Sequence, residues 1–186
     1  MKRAEKVIIF ILILIFIGLI GVLVSLKQGW FEQQDKYLYI YLLFPQKEGS
    51  PQLIPVSRGI FDSRNQDGKM EFVIKNLISG PTPEEKKTGF NTNIPSESEL
   101  FQCWIKDGIA YLDFPGEIEK GGGTLLMKTR LAQIVFTATQ FPEIEKVRFL
   151  INGKFIKYFS GEGITDVENP IGRDNFSTFK NNGDRI

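Results

Sequence analysis

Histidine is absent from this chain, and cysteine occurs once, at Cys103. Without histidine the commonest general base and the commonest metal ligand are both missing, and a Ser-His-Asp triad is excluded. A single cysteine excludes an intramolecular disulfide. Set among Phe101, Trp104 and Ile105, it reads as a small buried side chain rather than a reactive thiol. Excess charge of one sign is lacking too: 23 basic and 22 acidic residues leave a formal net charge of +1. Such a balance gives no electrostatic footprint for nucleic acid, so no nucleic-acid partner is expected.

What the chain does have is a long apolar run near its start. Val7 to Leu26 carries no charge and is interrupted only by Gly18, Gly21 and Ser25. At about 1.5 Å per residue a helix of this length spans roughly the hydrocarbon core of a bilayer. Lys2, Arg3 and Lys6 precede it, so the positive-inside rule keeps residues 1–6 cytoplasmic and sends everything beyond the run outside. A cleaved signal peptide is the rival reading. It needs a shorter apolar region and a small-x-small exit, and Val-Ser-Leu-Lys-Gln-Gly offers none. The expectation is a single-pass signal-anchor at 7–26, in contact with the lipid bilayer, followed by a polar connector over 27–36. With Lys2, Arg3, Lys6 and Glu5 set aside, the remainder has net charge −1, too little to hold it to an anionic surface.

Beyond the connector, Tyr37 to Phe44 reads as a strand and Leu53 to Ile60 as an extended piece that Pro55 confines to an edge. Met70, Val73, Ile74, Leu77 and Ile78 follow helical spacing, which predicts a helix from about Lys69 to Ser79 that Gly80-Pro81 closes. Thr82 to Ser98 reads as loop. Asp107-Gly108 joins two short strands, 100–106 and 109–114, in a type I′ hairpin. Pro115 to Gly123 reads as a mobile loop, with Thr124 capping the next helix. In that helix Met127, Leu131, Ile134, Val135 and Ala138 form one apolar face, and Pro142 follows. A strand with Val147, Phe149 and Ile151 then turns at Asn152-Gly153. The predicted fold class is α+β: a two-layer sandwich of two helices on an antiparallel or mixed sheet. Residues 176–186 are expected to be a disordered tail.

Five pieces, taken in order, carry a family resemblance. They are Leu53-Ile-Pro-Val-Ser-Arg58; Leu77-Ile-Ser-Gly-Pro81; Thr92-Asn-Ile-Pro95; the hairpin Ile105 to Asp113; and Gln133-Ile-Val-Phe-Thr-Ala-Thr-Gln-Phe-Pro142 with Val147 to Gly153. Together they resemble the GerMN domain, the sporulation and spore germination domain of bacterial envelope proteins. Asn169-Pro-Ile-Gly-Arg173 resembles the end of that pattern, so the likeness runs over 37–175. It implies a small α+β module, outside the bacterial cytoplasmic membrane, that assembles or positions envelope complexes and has no established catalytic residues. The spore-germination type has two copies and a lipid-bearing cysteine. This chain has one copy and an apolar run instead, so a sporulation role does not follow from the resemblance alone.

The chemistry that the residues suggest is thin. Gly121-Gly-Gly-Thr124 lacks the Gly-Lys-Ser/Thr ending of a phosphate loop. Asp62 to Gly68 has Arg64 and Gln66 where a calcium loop needs acidic or amide oxygens. Asp113, Glu117 and Glu119 are the acids that a wall-cleaving glycosidase would require, yet they lie close together on one loop. No catalytic residue, metal or cofactor is therefore expected. The candidate partner-binding residues are Tyr37, Tyr39 and Tyr41, which alternate with Leu38, Ile40 and Leu42, together with Tyr111. If helices cover the leucine face, the tyrosines occupy the open face of the sheet, where tyrosine suits an interface. The sequence thus points to a non-catalytic binding or assembly module, its partner an envelope protein or a second copy, with peptidoglycan a further candidate. A wall-acting enzyme, or a regulator of one, is the alternative.

Overall fold

The computed structural model describes residues 12–13, 15–22, 37–46, 51–59, 65–160 and 167–179. The chain divides into two units, Met1–Tyr37 and Leu38–Ile186. In the first, residues 12–13 and 15–22 are helical. Among the described residues no helix is long and apolar enough to cross a membrane. The rest of the expected span, at 7–11, 14 and 23–26, lies outside the described residues. So do the connector 27–36, residues 47–50 of the turn before Gln52, residues 62–64 of the loop 62–68 and the tail from 180.

The second unit opens with an antiparallel ribbon of β1 (Tyr39–Phe44) and β2 (Gln52–Ser57). Helix α1 (Gln66–Ser79) and a short helix α2 (Pro83–Lys87) follow. Next come β3 (Gln102–Lys106), β4 (Ile109–Phe114), helix α3 (Thr124–Ala138), β5 (Lys146–Ile151) and β6 (Lys154–Phe155). The last four strands form a second sheet in the order β3-β4-β5-β6, in which β4 and β5 run parallel and the other pairs antiparallel. The class is α+β with a mixed sheet, as expected, but there are two sheets rather than one. The hairpin turns follow their sequence signals: Asp107 and Gly108 have φ of 51° and 74°, and Asn152 and Gly153 of 52° and 76°.

Helix α3 explains why the sheets stay separate. Eleven of its fifteen residues are buried, so it is a central helix and not an amphipathic cover. Its polar residues Arg130, Gln133 and Thr137, with Gln140 just past its end, recur at i, i+3, i+7 and i+10, which is one helical stripe. Its last three members face β1. Gln140 takes the Tyr39 N–H and donates to the Tyr39 carbonyl, both at 2.8 Å. Thr137 Oγ1 accepts from the Tyr41 N–H at 3.0 Å, and Gln133 Nε2 donates to the Tyr41 carbonyl at 3.0 Å. Farther along, Leu43 exchanges backbone bonds with Asn91. The free edge of β1 is thereby satisfied by side chains in place of a strand, and it cannot extend the larger sheet. On its other side, Tyr41 lies opposite Pro55. Since Tyr41 spends its backbone groups on α3, this pair needs no N–H from Pro55, which is why proline is tolerated there.

Four further expectations are corrected. Helix α1 begins at Gln66, capped by the Asn65 side chain, and not near Lys69. Thr82 to Ser98 is not all loop: Thr82-Pro-Glu-Glu85 forms a reciprocal capping box that starts α2. The stretch 115–123 contains a 3-10 turn, Gly116–Glu119, with Ile118 fully buried, and Gly123 rather than Thr124 caps α3. Residues 176–179 are not a disordered tail, because Phe176 and Phe179 are buried in the core. The polar composition there favours disorder, but two phenylalanines supply enough apolar surface to hold the segment down.

The capping box also positions Glu85 for Arg58. The guanidinium meets the carboxylate in two bonds, at 2.6 and 2.7 Å, tying the end of β2 to α2. The bond from Arg58 is the main cause that holds the Glu85 carboxyl below its ordinary value of 4.5. A depressed carboxyl stabilises the fold at and above its unfolded-state value, and that contribution is lost as pH falls through the folded value. Arg58→Met is therefore expected to flatten the fall of the urea midpoint below pH 4.5. A Met variant with an unchanged acid limb would show that Glu85 does not drive it.

Candidate functional site

The face of the four-stranded sheet turned away from α3 carries aromatic side chains in register. Trp104, Tyr111 and Arg148 lie opposite one another on β3, β4 and β5. They point to the same side, because residues paired across adjacent strands share a face. The rings of Trp104 and Tyr111 stack with centroids 5.0 Å apart and planes within 4° of parallel. Phe155, from β6, meets Tyr111 edge-on at 6.3 Å. The Arg148 guanidinium sits 5.0 Å from the Phe155 centroid and donates to the carbonyls of Ile156 and Val167. These contacts fix a row of flat groups before any partner arrives, which lowers the ordering cost of binding. Phe155 is 58 % exposed, so the row ends in open apolar surface.

The four tyrosines singled out in the sequence do not share a face. Tyr111 belongs to this row, whereas Tyr39 and Tyr41 stand on the other sheet. Tyr37 and Tyr39 are 53 % and 37 % exposed, but Tyr41 is only 8 % exposed. Its ring meets Phe136 edge-on at 5.4 Å and lies beneath the Arg173 guanidinium. Tyr41 is thus a core residue, and the alternation along β1 misled because both faces of that strand are covered from Ile40 to Leu43. Trp104, Arg148 and Phe155 were missed. The signal lay in the turn residues: each fixes a register, and together they bring 104, 111 and 148 into line.

The three acids do not share a loop, since Asp113 stands on β4, and all three serve the fold. Asp113 is buried and accepts the Gly153 N–H at 3.0 Å, holding the β5–β6 turn. Glu119 accepts the Ser160 N–H at 2.6 Å. Glu117 pairs with Lys120 at 3.1 Å, and that contact holds its carboxyl below the ordinary value. None of these bonds joins one acid to another. Among the described residues no group of three or more cysteine, aspartate and glutamate side chains is arranged to hold a metal ion. Burial pushes the Cys103 thiol up to about 11, so it is an inert thiol at neutral pH.

A groove of about 460 Å³ runs beside the aromatic row, between the outer edge of β3 and the first turns of α1. Asn65, Asp67 and Glu71 line it on the helix side, and Phe101 to Trp104 on the strand side.

A family model described as sporulation and spore germination ("Germane") matches residues 39–157, more than half of the chain. No curated protein matches. Among solved structures, the tandem GerMN domains of the sporulation protein GerM from Bacillus subtilis are similar at 28% identity and a TM-score of 0.58. That match covers 73% of this chain and 45% of the tandem protein, so the chain spans less than half of that relative's length. The first GerMN domain of the same protein gives 20% identity and a TM-score of 0.56, over 74% of this chain and 98% of that one. A Clostridium perfringens protein inferred to be a lipoprotein gives 22% identity and a TM-score of 0.53, over 75% and 88%. The last two likenesses show the fold.

Proposed function

The chain belongs to the sporulation and spore germination family, and we propose that it works as a non-catalytic GerMN module that binds a partner in the bacterial envelope. The observation that carries this reading is the preformed row of Trp104, Tyr111 and Phe155 on the outer face of the larger sheet. Rigid aromatic groups beside an arginine are the composition of an interface core. The acids that an enzyme would use are instead bonded to backbone and lysine, which favours binding over wall hydrolysis.

The module is presented outside the cytoplasmic membrane by a single-pass anchor at 7–26. The uncharged run from Val7 to Leu26 and the three preceding basic residues support this. One similar protein, from Clostridium perfringens, is inferred to be a lipoprotein. This chain has its only cysteine at position 103, so the apolar run takes over the anchoring that a lipidated cysteine gives elsewhere. The partner is an envelope protein.

Crosslinking in the native membrane followed by mass spectrometry tests the proposal. Tyr111→Ser combined with Phe155→Ser is expected to abolish the main crosslinks while leaving the near-ultraviolet circular dichroism of the remaining aromatics in place. Crosslinks that persist in this folded double variant would move the interface elsewhere. Tyr39→Ser is the control, with little effect expected.

A further inference from the structure

Strand β3 is the outer strand of its sheet, and its hydrogen-bonding phase is fixed. The Ile105 N–H donates to Asp67 Oδ1 at 3.0 Å, so Ile105, and Cys103 two residues before it, turn their backbone groups outward. The Phe101 N–H turns back to the Asp113 carbonyl, so the outward stretch is short. Asp67 therefore occupies, with a side chain, the position that the carbonyl of a neighbouring strand would take. The groove lies along this edge, and α1 forms its other wall. A strand edge facing a helix across a groove is the arrangement in which extended peptides add to a sheet.

The charge of the groove selects among peptides. Asp67 and Glu71 both line it. Lys75 pairs with Glu71 at 2.5 Å, so one carboxylate is partly neutralised, while the other accepts the Ile105 N–H. Burial pushes the Cys103 thiol upward, and the Glu71 and Asp67 carboxylates add to that shift. The groove therefore has a negative field, complementary to a cation. On the sheet face, a residue added opposite Trp104 would continue the parallel stack of Trp104 on Tyr111.

We propose that an extended, basic segment of a partner protein pairs with β3 in this groove, taking the Ile105 N–H from Asp67. The released Asp67 carboxylate then meets a lysine or arginine of the incoming segment. This rests on the reading of the chain as a binding module and adds to it a site, a backbone mode and a charge preference.

The test uses the full chain dispersed in detergent micelles, with Trp30→Phe so that fluorotryptophan labels Trp104 alone. The probe is a terminally blocked hexapeptide of alternating lysine and valine. A saturable fluorine shift at Trp104 is expected, with slowed hydrogen exchange at the Ile105 amide. The same peptide with alternate backbone nitrogens methylated, and a glutamate–valine version, should each bind about tenfold more weakly or worse. Asp67→Asn keeps the acceptor oxygen and removes the charge, so it should weaken the lysine peptide several-fold with the fold unchanged. No saturable shift, or equal binding of the methylated peptide, would overturn strand addition. A Trp104 signal that depends only on protein concentration would also overturn it, giving the edge to a second copy. The crosslinks lost on changing Tyr111 and Phe155 are read separately, so failure of the peptide leaves the sheet-face reading to its own experiment.

Discussion

A chain ending at Gly172 is expected to be unfolded at physiological temperature, although it keeps β1 to β6 and α1 to α3. The lost segment carries Arg173, Phe176 and Phe179. Arg173 donates to the carbonyls of Phe136 and Thr139, at 3.2 and 3.3 Å, and to Thr139 Oγ1 at 2.9 Å. It thereby closes the C-terminus of α3, where a cation also opposes the helix dipole. Its guanidinium lies 4.8 Å from the Phe136 ring and 5.3 Å from that of Tyr41. Phe176 and Phe179 are buried to within a few per cent of completely. Removing a buried phenylalanine side chain costs about 3–5 kcal/mol, so two of them approach the whole stability of a domain, about 5–15 kcal/mol. Pulse proteolysis in urea measures the loss. A chain ending at Phe179 should match the full chain, and equal stability on ending at Gly172 would show that the segment does not hold the core. The approach to it is also tight: a Cβ on Gly172 would lie 2.9 Å from the Glu145 carbonyl oxygen.

Arg130→Met is expected to cost about 3–5 kcal/mol, a large effect for one polar residue. Arg130 is buried in α3, and its guanidinium donates to three backbone carbonyls. These belong to Asn93 at 2.7 Å, Ile118 at 2.5 Å and Lys120 at 3.1 Å. One side chain thus pins the stretch before β3 and the 3-10 turn before α3 to the central helix. Burial lowers the pKa of the guanidinium, but an arginine stays charged at any relevant pH. Methionine fills much of the volume and leaves the carbonyls without their donor, each unpaired buried group costing about 1–3 kcal/mol. Lysine keeps the charge, yet it offers a point donor in place of a fork and should recover only part of the loss. Urea midpoints give the magnitude, and hydrogen exchange over 116–120 should rise first in the Met variant. A Met variant within about 1 kcal/mol of the parent would mean that solvent satisfies the carbonyls equally well.

Both predictions concern residues that the sequence shows openly but does not explain. The polar stripe Arg130, Gln133, Thr137 and Gln140 is visible as helical spacing, and a solvated face is the ordinary reading of such a stripe. What inverts that reading for Gln133, Thr137 and Gln140 is β1, a strand some ninety residues earlier, whose free edge needs donors and acceptors. Thr82-Pro-Glu-Glu85 is a different miss: the capping box is local and legible, and the surrounding polar composition hid it. The aromatic row needed the registers of three strand pairs before Trp104, Tyr111 and Arg148 fell into line.

By itself the sequence determined whatever depends on a few neighbouring residues. It placed the turns at Asp107-Gly108 and Asn152-Gly153, the glycine stop of α1 and the α+β class, because φ preferences and apolar periodicity act over short range. Its five motifs also pointed to the family. Only the tertiary structure decided which side of α3 is dry, that Tyr41 is core while Tyr111 belongs to a surface row, and that Phe176 and Phe179 are held in the core. The reason is that burial and hydrogen-bond satisfaction are settled between elements. A polar side chain on a helix is wet or buried according to which backbone edge arrives opposite it, and no local window contains that edge.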